Sequence, residues 1–361
     1  MTQSRENSDC GKGSGAFARR EAIKRMLGLP VAAGLGAMAL PMAEERILLA
    51  EEAKRSAESG ETVEADAVSG ATRTSWELPK LAELNEPIPH AMLGSLEVSR
   101  LILGGNLIGG WAHSRDLIYV SELVKRYHTK EKVFQTFQLA EKCGINTFMG
   151  NPVMNKMMEE YWRWTDAKLQ FISDCGGGGE TIPDHVRAAI DFGCDAGYLH
   201  GGMTDDLVQK GDFATIEECL RLLRDAGLPA GLGAHYQATA DGITAAGIEP
   251  DFWMKTYHPL NYWSAQSASE YDNIFCREPE ATEAFMAKTQ TPWIAFKVLA
   301  AGAFAPSYGF QAALDAGADF LCVGMYDFQM VDDVNIACNL LKNLPNRKRR
   351  MLESIPVEKI S

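Results

Sequence analysis

Between residues 98 and 344 the chain repeats one pattern. A short, continuous apolar run ends in small or polar residues and is followed by a stretch with apolar positions three and four apart. The apolar runs lie at 98–106, 145–151, 169–175, 194–202, 229–235, 251–258, 293–300 and 319–325. Runs apolar on both alternations predict parallel strands buried on both faces. The stretches between them predict helices at 131–143, 153–164, from near Pro183, at 215–226, up to Gly247, and at 279–288, 308–316 and 331–344. Gly144, Gly193, Gly227, Gly247 and Gly317 stand where helices end, as glycine at a C-terminal cap does. Eight strand–helix units in strict alternation predict an α/β protein, a closed (β/α)8 TIM barrel.

The first 92 residues do not follow this pattern. Arg19 and Arg20 precede Ile23, Lys24 and a weakly apolar run at 26–40, shorter than the roughly 20 apolar residues of a membrane span. The segment resembles a twin-arginine export signal, residues 1–43, with small residues at Ala37, Ala39 and Ala43 for cleavage. The resemblance implies passage through the twin-arginine translocase, a working place in the periplasm or cell envelope, and no transmembrane span in the mature protein. Residues 44–92 are acidic, rich in Ala and Ser, and carry Pro79, Pro87 and Pro89, so they read as a linker or arm. The barrel then occupies 93–345 and a tail 346–361.

With 361 residues, 46% of them hydrophobic, the chain can bury one barrel-sized core. A formal charge of -13 excludes a nucleic-acid groove, which needs clustered cations. The dense basic run 347–350 reads as a solvated tail. Eight cysteines without a CxxC pair suggest neither a zinc ribbon nor a disulfide framework.

In such a barrel the chemistry stands at the carboxyl ends of the strands. These ends carry Asn106, Asn151, Asp174 with Cys175, His200, His235, Lys255 with Tyr257 and His258, Lys297, and Tyr326 with Asp327. Strand alternation turns about half of them away from the mouth. His200, followed by Gly201 and Gly202, is expected in a loop that a ligand can approach. His200, His235 and His258, with Asp174, could hold a divalent metal. Lys255 and Lys297 could form an imine or anchor an anion, and Gly176 to Gly179 could form a mobile loop or an anion nest.

The stretches LGSLEVSRLILGGN, AEKCGINTF, DAGYLH, KTYHPLN, LAAG and VGM, the last followed by Asn335, resemble the aldo/keto reductase superfamily in their order and spacing. The resemblance implies hydride transfer between NADP(H) and a carbonyl, with a Tyr proton donor tuned by Lys, His and Asp. Of these four positions only His200 matches. The Asp position falls on Met149, the Tyr position on or near Met154, and the Lys position on Asp174 or Ser173. By the same resemblance, His235, Lys255 and Asn335 fall where the nucleotide is held.

The leading expectation is therefore an exported, aldo/keto reductase-like oxidoreductase acting on a small polar carbonyl or sugar-like compound. His200 polarises or protonates the substrate oxygen, and Asp174 or Lys297 is its proton partner. Two other readings stand beside it: a lyase, isomerase or metal-assisted hydrolase using His200, His235 and Asp174, and a barrel that binds a ligand without turnover.

Overall fold

The structure, a computed structural model, describes residues 78–357 apart from 113–116, 118, 166–168 and 263–274. The export signal, the arm as far as residue 77, and His113 and Arg115 lie outside the described residues. Strands β1 (His90–Leu93) and β2 (Leu96–Ser99) form an antiparallel hairpin. They are followed by β3 (Leu101–Gly104), β4 (Thr147–Gly150), β5 (Gln170–Ser173), β6 (Ala196–Leu199), β7 (Ala230–Ala234), β8 (Phe252–Thr256), β9 (Trp293–Phe296) and β10 (Phe320–Val323). These eight close into a barrel in sequence order, with β10 pairing parallel to both β9 and β3. The TIM barrel read from the apolar pattern is the fold.

Each of the eight apolar runs contains a barrel strand, but the first divides. Val98 and Ser99 pair with Ala91 and His90 in the hairpin, and the barrel strand begins at Leu101. Ser99 turns its hydroxyl onto the Leu101 carbonyl at 2.7 Å, and its N–H donates to the Asn146 side chain at 2.9 Å. The bend falls on the polar pair Ser99 and Arg100, which interrupts the apolar run, and both are buried between its two parts.

Alternation sorts the strand residues into two cores. Leu103, Phe148, Phe171, Leu199, Leu232 and Trp253 face the helices, whereas Ile102, Met149, Ile172, Tyr198, Phe252 and Met254 fill the barrel. Ala91, Leu93 and Val98 belong to the second core, so the hairpin closes the amino end of the barrel. Among the described residues three α-helices go beyond the simple alternation. Gly105–Ile108 and Tyr119–Tyr127 are inserted after β3, and two helices, Gly201–Lys210 and Phe213–Asp225, follow β6 where one was expected. Among the described residues no helix is long and apolar enough to cross a membrane.

The basic run is solvated only in part: Lys348 and Arg350 are exposed, whereas Arg347 and Arg349 turn inward. Asp319, which immediately precedes β10, has no exposed surface. It accepts from Arg347 at 2.9 Å, from Arg349 at 2.7 Å and from the Trp293 N–H at 3.0 Å. Arg100 donates to the Asp319 carbonyl at 3.0 Å, and Ile355 pairs with His90. A fully buried carboxylate at a strand entrance needs cationic partners, and the tail supplies two of them. Charge counting along the chain misses this because Asp319 lies about 30 residues upstream.

Asp319→Ala is expected to destabilise the fold by about 3–5 kcal/mol, because it leaves buried guanidinium groups without their counter-charge. Chemical denaturation followed by circular dichroism measures the loss. A loss no larger than that of a surface Asp→Ala control would show that the cluster does not hold the tail.

Candidate active site

Three titratable side chains stand at the carboxyl ends of neighbouring strands, and two of them, His200 and His235, are in contact. Asp174 follows β5, two residues beyond the inward-facing Ile172, so its carboxyl enters the mouth. Asn151 Nδ2 donates to its two oxygens at 3.0 and 3.3 Å, and the Gly176 N–H donates to Oδ1 at 2.8 Å. The chain leaves the sheet through Cys175, which is left-handed at φ 48, a rare conformation for a residue with a side chain. A Cβ on Gly176 would come within 2.4 Å of Asn151 Nδ2 and 2.7 Å of Asp174 Oδ1, so glycine is needed for this approach. Burial pushes the Asp174 carboxyl up to about 6, against the pull of its hydrogen bonds.

His200 stands two residues beyond the inward-facing Tyr198. It does not lead into a loop, because Gly201 and Gly202 open the helix Gly201–Lys210 and His200 is its N-cap. The Gly202 N–H donates to His200 Nδ1 at 3.2 Å. A backbone amide can only donate, so Nδ1 of the neutral ring is bare and Nε2 carries the proton. Although the ring is open to solvent at the rim, the surrounding wall lowers its pKa, and nearby His235 and Lys297 add to the effect.

His235 follows β7, on the face opposite Ala230, Leu232 and Ala234, which pack against the helices. Its ring meets the His200 ring edge-on, with centroids 5.8 Å apart. Gly201 permits this contact, since a Cβ there would come within 2.7 Å of the His235 ring. The need for close approach, more than loop mobility, accounts for a glycine after His200. His235 Nδ1 lies 2.9 Å from Asp205 Oδ2, and Thr239 Oγ1 donates to Asp205 Oδ1 at 2.6 Å. Neither Asp205 nor Thr239 was among the sequence candidates. Both sit inside helices, away from strand ends, and only the folded contact reveals them.

The remaining candidates are placed elsewhere. Lys255 shares its parity with Trp253 and Tyr257, facing the helices, and donates to the carbonyls of His235 at 3.1 Å and Thr256 at 3.3 Å. Burial lowers its pKa. The Asn335 amide accepts from the Asn85 N–H and donates to the Glu83 carbonyl, each at 2.9 Å, which ties the arm to the barrel. Lys297 is left-handed at φ 60 and sets its ammonium 3.8 Å above the Phe275 ring.

His258 is structural. It donates from Nδ1 to the Pro259 carbonyl and accepts the N–H groups of Phe275 and Cys276 at Nε2, all at 2.9 Å. Burial pushes its pKa down to about 4. Tyr257 donates to Glu283 on the outer face, and Tyr326 stacks between His128 and Phe328. Asp327 takes the Tyr127 hydroxyl at 2.5 Å and the Lys132 ammonium at 2.9 Å. Tyr198 is the tyrosine inside the barrel, below His200 and against Phe252.

Among the described residues, no three His, Cys, Asp or Glu side chains converge to hold a metal ion. This corrects the metal alternative built on His200, His235 and Asp174. Asp174 is capped by Asn151 and Gly176, and His235 is turned to Asp205.

No family model matches the chain, and no curated protein does. Several solved structures are similar to it over much of the chain. A Pseudomonas aeruginosa protein assigned to the aldo-keto reductases is 18% identical, with a TM-score of 0.49 over 72% of this chain and 99% of that one. A glycerol dehydrogenase of Gluconobacter oxydans is 12% identical, with a TM-score of 0.47 over 71% and 96%. A truncated 3-deoxy-D-arabino-heptulosonate 7-phosphate synthase of Thermotoga maritima is 11% identical, with a TM-score of 0.43 over 71% and 93%. A protein assigned to the aldo-keto reductases, a dehydrogenase and a synthase stand together here, as one fold serves several chemistries.

The raised pKa of Asp174 sets a pH dependence. A carboxyl with a higher pKa folded than unfolded binds more protons when folded. Its contribution to stability is therefore full below the unfolded value and is lost as pH rises through the folded one. Between the ordinary 3.8 and about 6, wild type is expected to lose about 3 kcal/mol relative to Asp174→Asn. Denaturation curves of both proteins at pH 4 and pH 7 test this. Parallel pH dependence would show that Asp174 ionises freely.

Proposed function

We propose that the protein is an acid–base enzyme acting at the barrel mouth on a small polar carbonyl or sugar-like compound. One observation carries this reading: His200 presents an N–H at Nε2 while its neighbour Asp174 carries a carboxyl pushed up to about 6. A neutral imidazole N–H can polarise a carbonyl oxygen without first losing a proton. A carboxyl poised near neutrality can both give and take one. The two follow adjacent strands, where the His200 backbone N–H donates to the Asp174 backbone carbonyl at 3.0 Å. The reaction class that these groups support by themselves is proton transfer beside a carbonyl, the chemistry of isomerases and lyases.

Hydride transfer is the second reading. It is favoured by the ordered aldo/keto reductase-like stretches and by His200 standing in the mouth. NADP(H), when bound, supplies the hydride in such chemistry. The three side chains expected to hold it do not fit that task, because Lys255 and Asn335 already bond protein carbonyls and His235 is bonded to Asp205. We further propose that Arg19 and Arg20 direct export to the periplasm or cell envelope.

Incubating the protein in D2O with dihydroxyacetone, glyceraldehyde and glucose, beside a fluorescence titration with NADPH, tests both readings. Proton NMR should show deuterium entering carbon next to the carbonyl, and His200→Ala should slow that exchange by about 10²–10⁴-fold. Saturable NADPH binding without exchange would favour the oxidoreductase reading instead. Replacing Arg19 and Arg20 by Lys is expected to leave the protein in the cytoplasm, as fractionation of the expressing cells would show.

A further inference from the structure

The Asp205 carboxylate receives three donors. These are His235 Nδ1 at 2.9 Å on Oδ2, Thr239 Oγ1 at 2.6 Å on Oδ1, and the His235 backbone N–H at 3.3 Å on Oδ1. A carboxylate only accepts, so the ring proton of neutral His235 sits at Nδ1 and the lone pair at Nε2. Among the described residues that nitrogen has no hydrogen-bond partner, and the side chain keeps 25% of its surface exposed. From the outer face, Lys255 holds the His235 carbonyl at 3.1 Å, fixing the backbone from which the ring projects. Phe296, 5.7 Å away between ring centroids, walls the ring on another side.

The two neighbouring histidines therefore carry opposite tautomers. His200 has a bare Nδ1 and a protonated Nε2, because the Gly202 N–H donates to it. His235 has the reverse, because Asp205 accepts from it. Adjacent strand ends thus present a donor and an acceptor side by side, with ring centroids 5.8 Å apart.

We propose that Asp205 is a positioning residue that makes His235 the general base of the mouth, aimed at α-hydroxycarbonyl compounds. This rests on the acid–base reading above. His235 Nε2 takes the proton from the carbon beside the carbonyl. The C–H electron pair becomes the carbon–carbon double bond of an enediol, and the carbonyl π pair moves onto the oxygen held by His200 Nε2–H. His200 Nε2–H protonates that oxygen and takes in exchange the proton of the adjacent hydroxyl, whose O–H pair forms the new carbonyl, while His235 returns its proton to the former carbonyl carbon; the isomerisation is complete with no net change in oxidation state. Asp205 holds the imidazolium formed in between.

The test reads the tautomer directly and needs no substrate. Long-range ¹H–¹⁵N spectra of the ¹⁵N-labelled full chain near neutral pH should show His235 protonated at Nδ1 and His200 protonated at Nε2. In Asp205→Asn, Thr239 and the His235 N–H keep the amide oxygen where Oδ1 was. The amide NH2 then faces the ring, drives its proton to Nε2 and inverts the His235 tautomer, with the fold retained by circular dichroism. Diethyl pyrocarbonate, mapped by peptide mass, should modify His235 in wild type and at least roughly tenfold more slowly in the variant. An Nε2-protonated His235 in wild type, or equal reactivity in the variant, overturns the proposal. The deuterium-exchange experiment fails independently, since it can be silent on all three carbonyl compounds while the tautomers are as stated.

Discussion

Closing eight parallel strands into a barrel turns every second side chain inward, and the rest of this molecule depends on that alternation. Along β5, β6 and β7 the inward parity ends in Asp174, His200 and His235, which gathers three titratable groups at one mouth. Along β8 the same rule sends Lys255 outward, where it becomes a buried brace for the His235 carbonyl. A shift of one residue in any of these strands would exchange the roles of neighbouring side chains.

The two ends of the barrel are stabilised differently. At the amino end the β1–β2 hairpin fills the opening, and the tail returns with Arg347 and Arg349 to neutralise Asp319. Buried charge is matched there by the Asp319 carboxylate. At the carboxyl end Asp174 is buried with no cation beside it among the described residues, and left-handed Cys175 and Lys297 follow their strands. Strain and an unmatched carboxyl persist where the surrounding barrel is rigid enough to hold them.

Within the mouth, hydrogen bonding decides chemistry more than residue type does. Both histidines could serve as donor or acceptor. A backbone amide at a helix start selects one form for His200, and a carboxylate in that same helix selects the other for His235. The helix Gly201–Lys210 thereby orders both rings, and glycine at 201 lets it lie close enough to do so.

The barrel was legible in the sequence because strands buried on both faces and helices buried on one leave different periods, and their alternation admits few topologies. His200 and Asp174 were legible for the same reason, since both end apolar runs. The bend at Arg100, the burial of Arg347 and Arg349, the outward turn of Lys255 and the part played by Asp205 were not. Each depends on contacts between residues 20 to 252 positions apart, or on which way a strand end faces after closure. Local pattern determined the elements and the strand ends of this protein. Only the tertiary structure decided which charges meet, which are buried in pairs, and which nitrogen of each histidine faces the mouth, because those depend on partners that the chain brings together only on folding.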